Sequence, residues 1–196
     1  MTSIYRSEAS IEEFLGRAAD AVAPYASTLE LIVVDDGSPD RSAEIVRNAS
    51  DRDERVVLVR LSRNFGHHKA LLAGLEIAEG ELIFLLDSDL EEEPEHFAGM
   101  LASMRGAEAD LVYGAQHERK GNWLERTSGK LFFDIFSWMS EITLPRNVST
   151  IRLMTRRYLD SLLRLRDRNP VLAPLGVIAG YPQIEYRFAK KSSSET

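Results

Sequence analysis

The sequence predicts an α/β fold with a mainly parallel sheet flanked by helices, on three observations. Apolar runs alternate with amphipathic stretches along the chain, the order that builds parallel sheets through crossover helices. One run, Leu82-Ile83-Phe84-Leu85-Leu86, is uninterrupted, as expected of a central strand buried on both faces. That run ends in Asp87-Ser88-Asp89, so two carboxylates emerge where a strand leaves the core. Open α/β sheets bind ligands at the carboxyl ends of their strands, and carboxylates there suit a hard divalent cation carrying phosphates.

Ile11 to Val22 reads as an amphipathic helix, with Ser10 as N-cap and Glu13 completing a capping box. Leu29–Val34 is a strand closed by Asp35-Asp36-Gly37-Ser38-Pro39, followed by a helix over Arg41 to Asn48 and a strand at Val56–Leu61. A helix from Lys69 to Ala78 stops at Gly80 before the Leu82–Leu86 strand. Pro94 opens a helix to about Arg105, and Leu111–Tyr113 is a short strand. Asn122 to Ile142 is helical in pattern, with the aromatic positions Phe132, Phe133, Phe136 and Trp138. Ile151–Met154 is a strand, Thr155 caps a helix through Leu165, and Ile184–Phe188 is a last strand. A second D-x-D, Asp51-Arg52-Asp53, follows no strand and reads as solvated surface.

The 196 residues, 44% of them apolar, suffice for one domain with a sizeable core. Without cysteine there is no disulfide or thiolate chemistry, and a reducing compartment fits. No run approaches the roughly 20 apolar residues of a membrane span, and no secretory signal opens the chain, so the expected location is cytoplasmic. Residues 1–115 hold 10 Lys and Arg against 23 Asp and Glu, while residues 116–196 hold 14 against 8. The acidic first part argues against a general nucleic-acid binder. The basic second part fits either scattered surface arginines or a face toward phosphates or an anionic membrane. Thr2-Ser3-Ile4-Tyr5 has strand character but reads as too short for a first central strand, and the polar tail closes without an element. The expectation is a domain truncated at both ends.

Four loops fall at predicted strand ends. They are Tyr5-Arg6-Ser7-Glu8, Asp35-Asp36-Gly37-Ser38, Arg63-Asn64-Phe65-Gly66-His67-His68-Lys69, and Asp87-Ser88-Asp89 with Glu91, Glu92 and Glu93. A carboxylate in the second can accept a base N–H or a ribose hydroxyl, and Gly37 permits a tight turn. The third leads into a helix N-terminus, which favours anions. The adjacent His67 and His68 lack the i, i+4 spacing of a helical metal pair. Each loop taken singly has an ordinary structural reading; four on one sheet edge point to a ligand site.

These residues resemble family-2 glycosyltransferases of the GT-A fold, above all the branch that moves a sugar from a nucleotide onto polyprenyl phosphate, as dolichyl-phosphate mannose synthases do. The matching text is Val33-Val34-Asp35-Asp36-Gly37-Ser38-Pro39-Asp40, Leu61-Ser62-Arg63-Asn64-Phe65-Gly66, Ala73-Gly74, Leu86-Asp87-Ser88-Asp89-Leu90 and Pro94-Glu95. It continues through Tyr113-Gly114, Arg119-Lys120-Gly121 and Ile151-Arg152-Leu153-Met154. The chain departs from the pattern at Asn147 to Ile151, where many lipid-phosphate members carry an acidic residue. It departs also at Gln116 and at Tyr5-Arg6-Ser7-Glu8, where Arg and Tyr-Asn-Glu are usual.

The resemblance implies a single GT-A catalytic domain over residues 1–196, with a Rossmann-like, mainly parallel sheet. By it, Tyr5, Glu8 and Asp35 or Asp36 would meet the nucleotide base and ribose, with Arg63 near the nucleotide. Asp87 and Asp89, around Ser88, would form the metal motif, Asp89 being the direct ligand of Mg²⁺ or Mn²⁺ on the diphosphate. Arg119, Arg126 and Lys130 would hold the pyrophosphate or the acceptor phosphate, and Arg152 would lie in the active site. Glu91 and Glu92 are the candidate bases. The implied reaction is an inverting transfer from a UDP-, GDP- or dTDP-sugar to polyprenyl phosphate at the cytoplasmic membrane face, with a homo-oligomer admitted. The aromatic Phe132–Trp138 stretch would either pack on the sheet or guide the lipid at the membrane interface. The rival readings are a saccharide acceptor in cell-surface polysaccharide synthesis and an inactive nucleotide-sugar-binding fragment.

Overall fold

A computed structural model describes residues 1–116, 148–165 and 179–188. Arg119, Arg126, Lys130 and the Phe132–Trp138 stretch therefore lie outside the described residues. The elements run β1 (Thr2–Ile4), α1 (Ile11–Val22), β2 (Leu31–Asp35), α2 (Ser42–Ser50), β3 (Val56–Arg60) and α3 (His67–Ile77). They continue with β4 (Leu82–Leu85), α4 (His96–Gly106), β5 (Leu111–Gln116), β6 (Val148–Thr155), α5 (Arg156–Arg164) and β7 (Gln183–Phe188).

β1, β2 and β3 pair in parallel, with Thr2 opposite Val33 and Val33 opposite Leu58. β6 runs antiparallel to both β4 and β5, and β7 is parallel to β5. Met1 links the two groups: its nitrogen donates to the Phe84 carbonyl at 2.8 Å, and its carbonyl accepts from the Leu86 amide at 3.3 Å. The spatial order is thus β3-β2-β1-β4-β6-β5-β7. β1 lies between β2 and β4, and all three of its residues are buried. This corrects the expectation from length: two flanking strands bury a three-residue strand that could not hold its own place.

Period-two alternation gives each strand two apolar faces. One face carries Ile4, Val33, Phe84, Leu86 and Leu153 against α1 and α4, through Phe14, Leu15, Phe97 and Met100. The other carries Ile32, Val34, Ile83, Leu85 and Met154 against α3 and α5, through Leu71, Leu75, Tyr158 and Leu162. The result is a helix–sheet–helix sandwich. Thr155 caps α5 as expected, accepting the Tyr158 amide, whereas the Ser10–Glu13 capping box does not form. The Ser10 hydroxyl instead donates to the Ser7 carbonyl, and Glu13 accepts from Arg17 one turn on. Asp53 of the second D-x-D is tied to Arg55 at 2.7 Å on the surface, as its sequence context implies.

His96, at the start of α4, packs its ring on Phe188 and Tyr186, with centroids 4.8 and 5.8 Å away. Its Nε2 is buried and has no hydrogen-bond partner among the described residues. Burial pushes its pKa below the ordinary 6.5, against the opposing pull of Glu93 and Glu95. A lowered folded-state pKa means the unfolded chain binds the proton more readily. This stabilising contribution is therefore present above about pH 6.5 and is lost as pH falls through the folded value. His96→Gln removes that titration and is expected to lose less thermal stability than wild type between about pH 7.5 and about pH 5. Parallel melting curves would check it.

Candidate active site

Because β1 to β4 are parallel, their C-terminal ends deliver four loops to one edge of the sheet. There they surround a cavity of about 330 Å³. Tyr5, Asp36, Asp87, Ser88 and Asp89 line it, all of them expected site residues, together with Asn64 and His67 of the third strand-end loop, to which the sequence assigned no role. Glu8, Asp35, Arg63, Glu91, Glu92 and Arg152 stand outside its walls. A larger cavity of about 560 Å³ lies at the other ends of the strands, walled by core side chains such as Phe14, Leu15, Phe84 and Phe97. It contains none of the strand-end carboxylates.

The two carboxylates at the end of β2 hold loops. Asp35 is fully buried; its Oδ1 accepts the Ser38 amide at 2.9 Å and its Oδ2 faces Arg60 Nε at 3.3 Å. Asp36 accepts the Phe65 amide on Oδ1 at 2.7 Å and the Gly66 amide on Oδ2 at 2.9 Å. These charge-assisted bonds fix the start of α3 against β2. Gly37, at φ 72°, lies so near this loop that a Cβ would meet the Arg63 carbonyl carbon and the Asn64 nitrogen at 2.8 Å. Arg63 itself stacks on the exposed Phe65 ring, 4.3 Å from its centroid.

A chain of serines joins three loops. Ser88 Oγ donates to Ser7 Oγ at 3.2 Å, and the Ser7 amide donates to Ser42 Oγ at 2.8 Å. The Ser42 hydroxyl then donates to Asp40 Oδ1 at 2.6 Å. Glu8 closes the group, its amide reaching Asp40 Oδ2 at 3.3 Å and its Oε2 taking the Arg41 amide at 3.0 Å. The middle residue of the D-x-D is thereby anchored to the β1 and β2 loops.

After β4 the chain turns sharply. Asp89 Oδ1 accepts the Glu91 amide at 3.0 Å, and Leu90 adopts φ 62°. That left-handed conformation costs a bulky residue on the order of 1–2 kcal/mol, strain of the kind that collects at ligand sites. The turn carries Glu92 inward, to 3% exposure. Arg152, 8% exposed, pairs in register with Leu85 of β4 and donates to the Thr150 carbonyl at 3.0 Å. Burial lowers its pKa, while Tyr158, Glu92 and Asp87 favour its charge. It thus stands near Asp87 and Glu92 rather than in the cavity wall.

Among the described residues no three His, Asp or Glu side chains converge on one point. Two carboxylates on one cavity fit Mg²⁺ or Mn²⁺ when phosphates and water supply the remaining oxygens. His67 faces Asp87, its Nε2 3.6 Å from Oδ1, whereas His68 is not in the cavity wall.

The structure aligns with solved glycosyltransferases. It matches the Pyrobaculum calidifontis mannosyltransferase PcManGT, solved with GDP-Man and Mn²⁺, at TM-score 0.63 and 19% identity over 98% of this chain and 56% of that one. It matches the Mycobacterium tuberculosis glucosyl-3-phosphoglycerate synthase, in complex with Mn²⁺, UDP-Glc and phosphoglyceric acid, at TM-score 0.60 and 17% identity, over 100% and 70%. These likenesses establish the GT-A fold. A Mycobacterium tuberculosis (strain CDC 1551 / Oshkosh) protein bearing a glycosyltransferase name is 38% identical over 184 residues, 94% of this chain and 54% of the relative. The uncharacterized glycosyltransferase YkcC of Bacillus subtilis (strain 168) is 33% identical over 196 residues, 98% and 60%. An undecaprenyl-phosphate 4-deoxy-4-formamido-L-arabinose transferase of Aeromonas hydrophila is 32% identical over 175 residues, 87% and 53%. The chain thus spans between half and two thirds of the length of these curated relatives. The sequence profile named "Glycosyl transferase family 2" matches residues 1–163, and the chain belongs to that family.

Proposed function

We propose that this chain is the catalytic domain of an inverting glycosyltransferase that moves a sugar from a nucleotide sugar to polyprenyl phosphate. The observation that carries the donor site is the placement of Asp87 and Asp89 on one strand-end cavity, shared with Asp36 and the start of α3. Asp87 and Asp89 would hold Mg²⁺ or Mn²⁺, Asp89 as the direct ligand. The cation, when bound, neutralises charge developing on the departing nucleoside diphosphate. Tyr5 and Asp36 in the cavity wall, with Glu8 and Arg63 from the same strand-end loops, would meet the base and ribose. Asp35 supports this edge from below. Arg119, Arg126 and Lys130 would supply cations to the diphosphate or the acceptor phosphate, and Arg152 would place a positive charge near Asp87.

In the transfer an acceptor phosphate oxygen attacks C1 of the sugar from the face opposite the nucleotide. The bond from C1 to the β-phosphate oxygen breaks, and the nucleoside diphosphate leaves with the electron pair. A phosphate monoester, with a second pKa of about 6, is largely dianionic near neutral pH and needs no strong base. A sugar hydroxyl needs one. Glu91 and Glu92 both stand outside the cavity wall, and Glu92 is buried, which favours an acceptor that needs no base, the phosphate. Relatives named for undecaprenyl phosphate, at 32–34% identity, support the same choice. Such an acceptor places the parent protein at a membrane surface, with the domain on its cytoplasmic face. Among the described residues no helix is long and apolar enough to cross a membrane.

The test offers radiolabelled UDP-, GDP- and dTDP-sugars together with undecaprenyl phosphate in detergent. The expected result is organic-extractable label that mild acid releases as free sugar. Label transferred only to a saccharide would refute the lipid-phosphate acceptor.

A further inference from the structure

We infer that His67 is a positioning residue for the metal motif, holding the Asp87 carboxylate in place by a hydrogen bond from its imidazole. The inference rests on the donor-site reading above. His67 opens α3, and its backbone is fixed before any ligand arrives, because Asp36 clamps the two preceding amides, Phe65 and Gly66, at 2.7 and 2.9 Å. Gly66 makes the entry to the helix at φ 96°.

The ring then bridges two strands. Its Nδ1 is 3.1 Å from Ser3 Oγ on β1, a side chain buried in the sheet. Its Nε2 is 3.6 Å from Asp87 Oδ1, beyond the end of β4. When the Ser3 hydroxyl donates to Nδ1, the neutral ring carries its proton on Nε2, the nitrogen facing Asp87. The gap exceeds a closed hydrogen bond, but bonds of this kind tighten when the ligand binds. A donor on Oδ1 fixes the rotation of the carboxylate about its own axis. Carboxylates that ligate metals are commonly held by such outer partners, whose loss costs about 10–100-fold in metal affinity.

His68 is the internal contrast: it stands next to His67, at a 5.5 Å ring separation, yet lies outside the cavity wall. The adjacent histidines are therefore not a metal pair. One of them serves the metal motif through its neighbour.

The test is calorimetric titration of the 196-residue chain with UDP, GDP or dTDP, with and without Mn²⁺, in wild type, His67→Ala and His67→Gln. The readout is the ratio of the two dissociation constants, the affinity gained from the metal. In His67→Ala this gain is expected to shrink about 10-fold. In His67→Gln, whose terminal amide N–H reaches the same oxygen, most of it should return. A His67→Ala gain equal to wild type overturns the inference, as does a His67→Gln gain no better than that of alanine. If wild type gains nothing from Mn²⁺ with any of the nucleotides, the donor-site reading itself fails and this assignment with it.

Discussion

Asp89→Ala is expected to weaken Mn²⁺-dependent nucleotide binding about 100-fold or more, taking as a floor the upper end of what outer partners alone contribute. The fold should survive. Asp89 is exposed, and its Oδ1 serves a turn contact to the Glu91 amide two residues on. The contact is to a charged carboxylate but is solvent-exposed, so its loss costs about 1.5 kcal/mol or less, the low end for hydrogen bonds to charged groups. The melting temperature should therefore stay within about 6 °C of wild type for a chain of this size. Titration and thermal melting on the same samples would separate loss of a ligand from loss of structure. A variant that bound metal and nucleotide like wild type would remove Asp89 from the metal site.

Asp36→Ala should do the reverse, striking stability first and binding as its consequence. The carboxylate is 3% exposed and accepts both the Phe65 and Gly66 amides. Hydrogen bonds to charged groups contribute about 1.5–3 kcal/mol each, so the loss should be about 3 kcal/mol or more. At roughly 2–4 °C per kcal/mol the melting temperature should fall by about 10 °C. The 63–66 loop, released from β2, no longer holds His67 and Asn64 at the cavity wall, so nucleotide binding should weaken with it. Asp36→Asn keeps one acceptor and should fall between the two. A stable Asp36→Ala variant would mean the loop is held by other contacts, such as the close approach of Gly37 to Arg63 and Asn64.

The sheet was legible because its strands are apolar runs and its helices are periodic. Ile11–Val22 falls at its predicted ends, and Thr155 caps α5 as the pattern implied. β1 was misjudged because three residues carry little pattern, and its place depends on β2 and β4 closing on either side. Ser10 and Glu13 have the spacing of a capping box, but a nearer carbonyl and an arginine one turn on take their side chains.

At the site, Asp87 and Asp89 were readable from context, as carboxylates following a buried strand. The tasks of Asp35 and Asp36 were not, since their partners lie up to 30 residues away and meet them only in the folded sheet. The same holds for the Ser88–Ser7–Ser42 chain and for His67, whose contacts on β1 and just past β4 lie 64 and 20 residues distant. The burial of Glu92 follows from the left-handed turn at Leu90, a residue type that gives no sign of such a backbone.

The claim on which the rest depends is that the strand-end cavity binds a nucleotide through a divalent cation. Titrating UDP, GDP and dTDP into the purified chain, with and without Mn²⁺, tests it most directly. The account predicts that one nucleotide binds, that Mn²⁺ strengthens its binding, and that Asp89→Ala loses the gain. A well-folded chain that bound none of the three, with or without metal, would contradict it.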